Sequence, residues 1–361
     1  MTRRTALAGA CGALLLGATA CGSTGSSSTS STSSAAASGA PSGAPAGAPS
    51  GAMSGPPSGA MSGPPAGGGQ ASTTQSAATK KLSAEVKDKF KQATYQDATT
   101  GESLPYNIYL PDDYDPSKTY PVVLYIADSS LVGQDVTAPL SQYGALIWAS
   151  KAEQAKHESI VVVPEYPSVI IDDHGSFTTT EYVEMTARLM ASIEDKYSVD
   201  KDRVYGTGQS MGCMTVMDLA AKHPDLFTAE LFVSGQWQAS QLANLADEKF
   251  VYVAAGGDSN SSGGQKDVEG ILDKAGVSYG TATWDATWSS AKLDTAANKL
   301  LADGDSTNFA TFKTGTVLKA SGSSSSATSS MGGGTAEHMA SFEPAYKITA
   351  LRDWLFQQTA K

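Results

Sequence analysis

Gly208-Gln209-Ser210-Met211-Gly212 spells G-x-S-x-G. The pattern suits a serine that acts as a nucleophile. Glycines on both sides let a strand and the following helix approach closely, while the serine sits on a strained turn that lifts its hydroxyl clear of the sheet. The chain holds 36 glycines and is rich in serine, so five letters alone decide little. An ordinary Gly-rich turn is the competing reading. The hydroxyl also needs a base to take its proton and an acid to orient that base.

The chain has 4 histidines. His157 ends a helical stretch, and His223 closes the segment that follows Ser210. His174 lies in a turn beside Asp172 and Asp173, where a surface role suffices. His338 alone falls downstream, in a loop just before the last predicted helix, where the order serine, acid, histidine requires the base. For the acid, Asp258 follows Phe250-Val-Tyr-Val-Ala-Ala-Gly-Gly257 at the C-terminal end of a predicted strand, the edge where such sheets place catalytic groups. Asp285 and Asp294 are alternatives, and a turn-forming role is the competing reading of Asp258. Gln209 and Trp237 are candidates to touch substrate, though core packing competes for Trp237 and Trp284. Spacings such as C-x-x-C and H-E-x-x-H are absent, so no metal and no cofactor is expected. Cys213 would be the one cysteine of the folded part and reads as small-residue core packing.

The elements that must position these residues alternate. Continuous apolar runs at 120–126 and 159–164 suit strands buried on both faces. Further strands are read at 203–206, 230–234, 249–254 and 277–284. Helices are read at 138–156, 180–197, 211–223, 264–275, 289–302 and 342–358, the second with apolar residues at three- and four-residue spacing. A hairpin over 90–110 lies on the sheet edge. This alternation predicts an α/β fold with a mostly parallel central sheet flanked by helices. A strand before Ser210 and a helix after it are what the nucleophile turn needs, and the helix start supplies oriented N–H groups for an oxyanion.

Before this body the chain reads differently. Arg3-Arg4, an apolar run through Leu14-Leu15-Leu16 and small residues up to Ala20 have the make-up of a secretory signal over 1–20, too short to span a bilayer. Arg3-Arg4 also admits a twin-arginine reading. With Cys21 next, the segment resembles a bacterial lipoprotein signal, which implies acylation of the Cys21 thiol; plain secretion is the alternative. Residues 21–80 continue as a Ser/Gly/Pro repeat with almost no large apolar side chain, a disordered linker that spans about 40 Å. The folded domain is then 81–361. The net charge of −11 argues against nucleic acid and anionic lipid surfaces as partners. Membrane attachment is therefore expected through a lipid anchor only, on a cell-surface, extracellular protein.

Several stretches resemble bacterial α/β-hydrolases of the prolyl-oligopeptidase-like predicted peptidase and polyhydroxybutyrate-depolymerase-like esterase group. They are Ser103-Leu-Pro-Tyr-Asn-Ile-Tyr-Leu-Pro with Tyr120-Pro-Val-Val-Leu, Gly206-Thr-Gly-Gln-Ser-Met-Gly212, His223-Pro-Asp-Leu-Phe227, Val233-Ser-Gly-Gln-Trp237, and Glu337-His-Met-Ala-Ser-Phe with Leu351-Arg-Asp-Trp-Leu-Phe356. The resemblance covers about 90–358. It implies an α/β-hydrolase fold with Ser210, Asp258 and His338 as a triad, acting on a small-molecule or polymeric ester. A serine peptidase of the same fold is the alternative within the class. A non-catalytic surface lipoprotein that binds a wall or glycan component is the alternative outside it.

Where these relatives carry His-Gly after the first core strand, this chain has Ala127-Asp128-Ser129-Ser130. A backbone N–H of Asp128 or Ser129 is expected to join that of Met211 as oxyanion donor. The Asp128 carboxylate is expected to oppose the charge that develops there, and a lost donor costs about 3–4 kcal/mol. A Ser/Gly-rich insertion over 320–336 either loosens His338 or lets its loop close over substrate.

Overall fold

The computed structural model describes residues 75–322 and 333–360. The signal segment, Cys21, nearly all of the linker and most of the Ser/Gly insertion lie outside the described residues. Among the described residues no helix is long and apolar enough to cross a membrane.

The main-sheet strands are β1 (Lys91–Gln96), β2 (Ser103–Tyr109), β3 (Tyr120–Ile126) and β4 (Ile160–Pro164). A two-stranded ribbon, β5 (Ile171–Asp172) with β6 (Thr178–Thr179), intervenes. The main sheet resumes with β7 (Val199–Gln209), β8 (Ala229–Val233), β9 (Phe250–Ala255), β10 (Gly280–Trp284) and β11 (Thr307–Phe312). Its order is β1-β2-β4-β3-β7-β8-β9-β11-β10. The β1/β2 hairpin is antiparallel at the edge, β2 meets β4 antiparallel, and all later pairings are parallel.

A parallel sheet must be covered on both faces, and its strands are apolar on both. On one face Val123, Tyr125, Leu231 and Val251 pack with Trp148, Tyr346 and Leu355. On the other, Val122, Leu124, Phe232 and Tyr252 pack with Leu189, Val216 and Leu272. The predicted helices at 180–197 and 211–223 are found as Glu181–Lys196 and Met211–Lys222. Thr180 caps the first of them by accepting from Tyr182 N–H.

Four expectations differ. The single helix read over 138–156 is a chain of short turns, with Pro139 opening Ala138–Ser141 and Ser150 capping Lys151–Gln154. Both residues favour starting a helix over continuing one. The helix Ala77–Val86 begins inside the segment read as linker; Ser76 caps it and Leu82 and Val86 anchor it in the core. β11 was not foreseen, because Thr307, Asn308 and Thr311 dilute its apolar character, yet it sits between β9 and β10. The closing helix is two, Gly333–Lys347 and Thr349–Gln357, broken at extended Ile348, and His338 lies in the first of them, not in a loop.

Candidate active site

β7 runs straight into Ser210, whose φ of 54° and ψ of −117° mark a strained turn, and the helix Met211–Lys222 starts one residue later. Such a conformation costs about 1–3 kcal/mol in a non-glycine residue and persists only where its surroundings hold it. Ser210 N–H donates to Val233 O at 3.1 Å. The flanking glycines are required by space. A Cβ on Gly208 would run into the backbone of Gly212, and a Cβ on Gly212 into the carbonyl of Ile126 at the end of β3.

Ser210 Oγ lies 2.8 Å from His338 Nε2, and His338 Nδ1 lies 2.6 Å from Asp258 Oδ2. With Nδ1 protonated and donating to Asp258, Nε2 is left to accept from the serine hydroxyl. Asp258 caps the helix Ser259–Ala275 by accepting from Asn260 N–H and Ser261 N–H, and its Oδ2 also accepts from Ser261 Oγ at 2.5 Å. Burial pushes the Asp258 carboxyl up, but the hydrogen bonds from His338 and Ser261 outweigh it and hold it below the ordinary carboxylate value. Ser341 Oγ donates to His338 O at 2.6 Å and lies 2.7 Å from Ser234 Oγ, at the end of β8. Ser234 too has positive φ, 49°. Sequence reasoning did not single out Ser234, Ser261 or Ser341. Of these only Ser261, at capping distance from Asp258, carries a local signal.

Met211 opens its helix, so its N–H has no intrahelical acceptor. The close packing of Gly212 on Ile126 brings that helix start beside Ala127, the residue before Asp128. The Asp128 carboxylate is buried and takes four donors: Ser130 N–H and Oγ, Gln142 Nε2 at 2.5 Å and Gln209 Nε2 at 2.7 Å. Gln142 Oε1 in turn accepts from Tyr125 OH. Gln209 is thereby turned into this network. Trp237 is buried, with its indole N–H on Asp218 at 3.0 Å and its ring against Phe177. Trp284 is also core. Cys213 is buried, and burial pushes its thiol well up.

The other histidines lie elsewhere. His157 pairs with Asp353 and stacks on Phe356, His174 pairs with Asp172, and His223 with Glu184. Asp285 holds a turn through Thr287, and Asp294 accepts from Ala350 N–H. Among the described residues two groups, Glu153/His157/Asp353 and Asp172/Asp173/His174, each bring three potential metal ligands together. The first is already neutralised by Arg352 on Glu153 and Lys156 on Asp353.

The family model described as "Putative esterase" matches residues 97–308. No curated protein matches the chain. A thermostable esterase of known structure is 22% identical, with 75% of this chain and 64% of that one covered and a TM-score of 0.57. The chain thus spans just under two thirds of that esterase, and the likeness is one of fold, an α/β-hydrolase-like sheet and its helices. A feruloyl esterase module from Clostridium thermocellum is 14% identical, covering 73% and 88%, with a TM-score of 0.44. Dipeptidyl peptidase 4 of Porphyromonas gingivalis is 16% identical, covering 52% and 31%, with a TM-score of 0.41.

Proposed function

The chain belongs to the Esterase family, and from that premise we propose that it is a serine hydrolase that cleaves carboxylic esters through Ser210, His338 and Asp258. The observation that carries the reading is the unbroken series of hydrogen bonds from Ser210 Oγ through both ring nitrogens of His338 to Asp258.

In this mechanism Ser210 Oγ attacks the acyl carbon as its proton passes to His338 Nε2. Asp258 keeps the imidazole oriented and stabilises the imidazolium that forms. The oxyanion is held by Met211 N–H and by a backbone N–H at Asp128 or Ser129. The C–O bond breaks, and the leaving alcohol takes the proton from Nε2. Water then gives a proton to the same nitrogen as it attacks the acyl carbon; the bond to Ser210 Oγ breaks, Oγ takes that proton from Nε2, and the acid is released. Small-molecule or polymeric esters are the proposed substrates, and the family membership supports ester over peptide bonds.

We further propose that the folded domain is exported and tethered at the cell surface through Cys21 and the linker, on the strength of the signal-like start and the Ser/Gly/Pro repeat in the sequence. The direct test of the chemistry is labelling of the full chain with a fluorophosphonate probe beside Ser210→Ala. Labelling that disappears in the variant is expected; a folded wild-type protein that takes no label would sink the serine-hydrolase reading. Metabolic labelling with a fatty acid, lost in Cys21→Ser, tests the anchor.

A further inference from the structure

Glu337 stands directly before His338 and takes no part in the hydrogen bonds from Ser210 to Asp258. It is buried, 4% exposed, and its carboxylate accepts two backbone N–H groups. Gly257 N–H donates to Oε2 at 3.1 Å and Gly315 N–H to Oε1 at 2.5 Å. Gly257 directly precedes Asp258. Gly315, at φ 78°, turns the chain from β11 into the helix Thr316–Ser321. One carboxylate therefore joins the segment that carries His338, the segment that carries Asp258 and the turn beyond β11. A Cβ at position 257 would overlap the Glu337 carboxylate as it lies against this backbone, so a side chain there would push the carboxylate off the contact.

The need for such a joint is visible in the sequence. Between Lys319 and His338 the only large apolar side chain in the sequence is Met331. Downstream, Phe342, Ala345 and Tyr346 anchor the helix in the core. Charge-assisted bonds from fixed backbone donors are short and directional, which suits a joint.

We propose that Glu337 is a positioning residue: by gripping Gly257 N–H and Gly315 N–H it sets the spacing between His338 and Asp258. The inference rests on the serine-hydrolase reading above. Its effect is on the rate of the chemical step, since a misplacement of about 1 Å costs on the order of 100-fold.

The test uses the full chain as wild type, Glu337→Ala, Glu337→Gln, Gly257→Ala and the double variant Glu337→Ala/Gly257→Ala. Aryl-ester kcat and KM, fluorophosphonate labelling rate and thermal melting are measured for each. Glu337→Ala is expected to lower kcat and labelling rate about 10- to 100-fold with KM within about twofold. Glu337→Gln, which keeps one acceptor oxygen, recovers part of the loss. Gly257→Ala reproduces the defect from the other side of the contact. The double variant is no slower than the slower single one, because both changes break the same contact. If Glu337→Ala does not fold, Glu337→Gln and Gly257→Ala are read in the same way. Wild-type kcat in folded Glu337 variants, or losses that multiply in the double variant, would overturn the proposal. A wild-type chain that takes no label overturns both this inference and the serine-hydrolase reading, whereas equal labelling of wild type and variants overturns this inference alone.

Discussion

Gln209 Nε2 donates to Asp128 Oδ2 at 2.7 Å, so the residue before Ser210 is tied to the residue just past β3. The two backbone segments expected to supply oxyanion donors are joined by a buried side-chain bond. Two effects of the Asp128 carboxylate then compete: its charge opposes a developing oxyanion, and its four hydrogen bonds hold the site together. Asp128→Ala leaves the Gln209 and Gln142 amides without this acceptor, at about 1–3 kcal/mol for each buried group. The expected outcome is a lower melting temperature and at least a tenfold fall in kcat/KM. A faster enzyme would show that charge opposition dominates.

Asp258 serves both His338 and the start of the helix Ser259–Ala275, and two variants separate these roles. Asp258→Asn keeps an oxygen for the helix cap but loses the carboxylate that orients the imidazole. Ester turnover should fall about 10³- to 10⁴-fold with little change in melting temperature. Asp258→Ala should be as inactive and also less stable by about 1 kcal/mol. Parallel kinetics and denaturant unfolding check both statements.

Two buried glutamates predict how stability depends on pH. Burial pushes the Glu165 carboxyl up to about 8 against the donation from Gln134 N–H. Burial, with Glu248 nearby, also pushes the Glu230 carboxyl well up, and neither of its oxygens has a hydrogen-bond partner among the described residues. Each folded value lies above the unfolded one, so the stabilisation is full below the ordinary Glu range. For Glu165 it is lost as pH rises toward about 8. Each group contributes a slope of about 1.4 kcal/mol per pH unit between its two values. Urea unfolding at pH 5 and 8 should show wild type less stable at pH 8, and the loss should shrink in Glu165→Gln and in Glu230→Gln. A pH-independent midpoint would rule out neutral carboxyls at these positions.

Cys213 sits in the first turn of the helix after Ser210, packed against Gly235, where any Cβ would press on its sulfur. Its burial and raised thiol value predict inertness in the folded chain. Alkylation followed by peptide mapping should find Cys213 unmodified under native conditions and fully modified in denaturant. Rapid native modification would mean that this layer opens.

Local pattern carried much of the architecture. The apolar runs of β3 and β4, the three- and four-residue spacing of Glu181–Lys196 and the 90–110 hairpin depend on side-chain period, which is a property of neighbours along the chain. The turn at Ser210 was legible for the same reason, since the glycines that allow it stand within two residues. β11 was not, because its polar residues find their partners on other segments brought to it by folding: Thr307 Oγ1 donates to Ser278 O, just before β10, and Thr311 Oγ1 to Gln265 Oε1 on the helix Ser259–Ala275.

The sequence by itself determined a strand, a strained turn and a helix around Ser210 and one histidine far downstream, and it put Asp258 at a strand end ahead of Asp285 and Asp294 as the acid. Tertiary structure alone decided that Ser210 and His338, 128 residues apart, come within 2.8 Å. It also put His338 on a helix, took up the Asp128 carboxylate in four hydrogen bonds, and set Glu337 between Gly257 and Gly315. The physical reason is range. Backbone preference and hydrophobic period act over a few residues, whereas these contacts depend on how packed faces of distant elements orient one another.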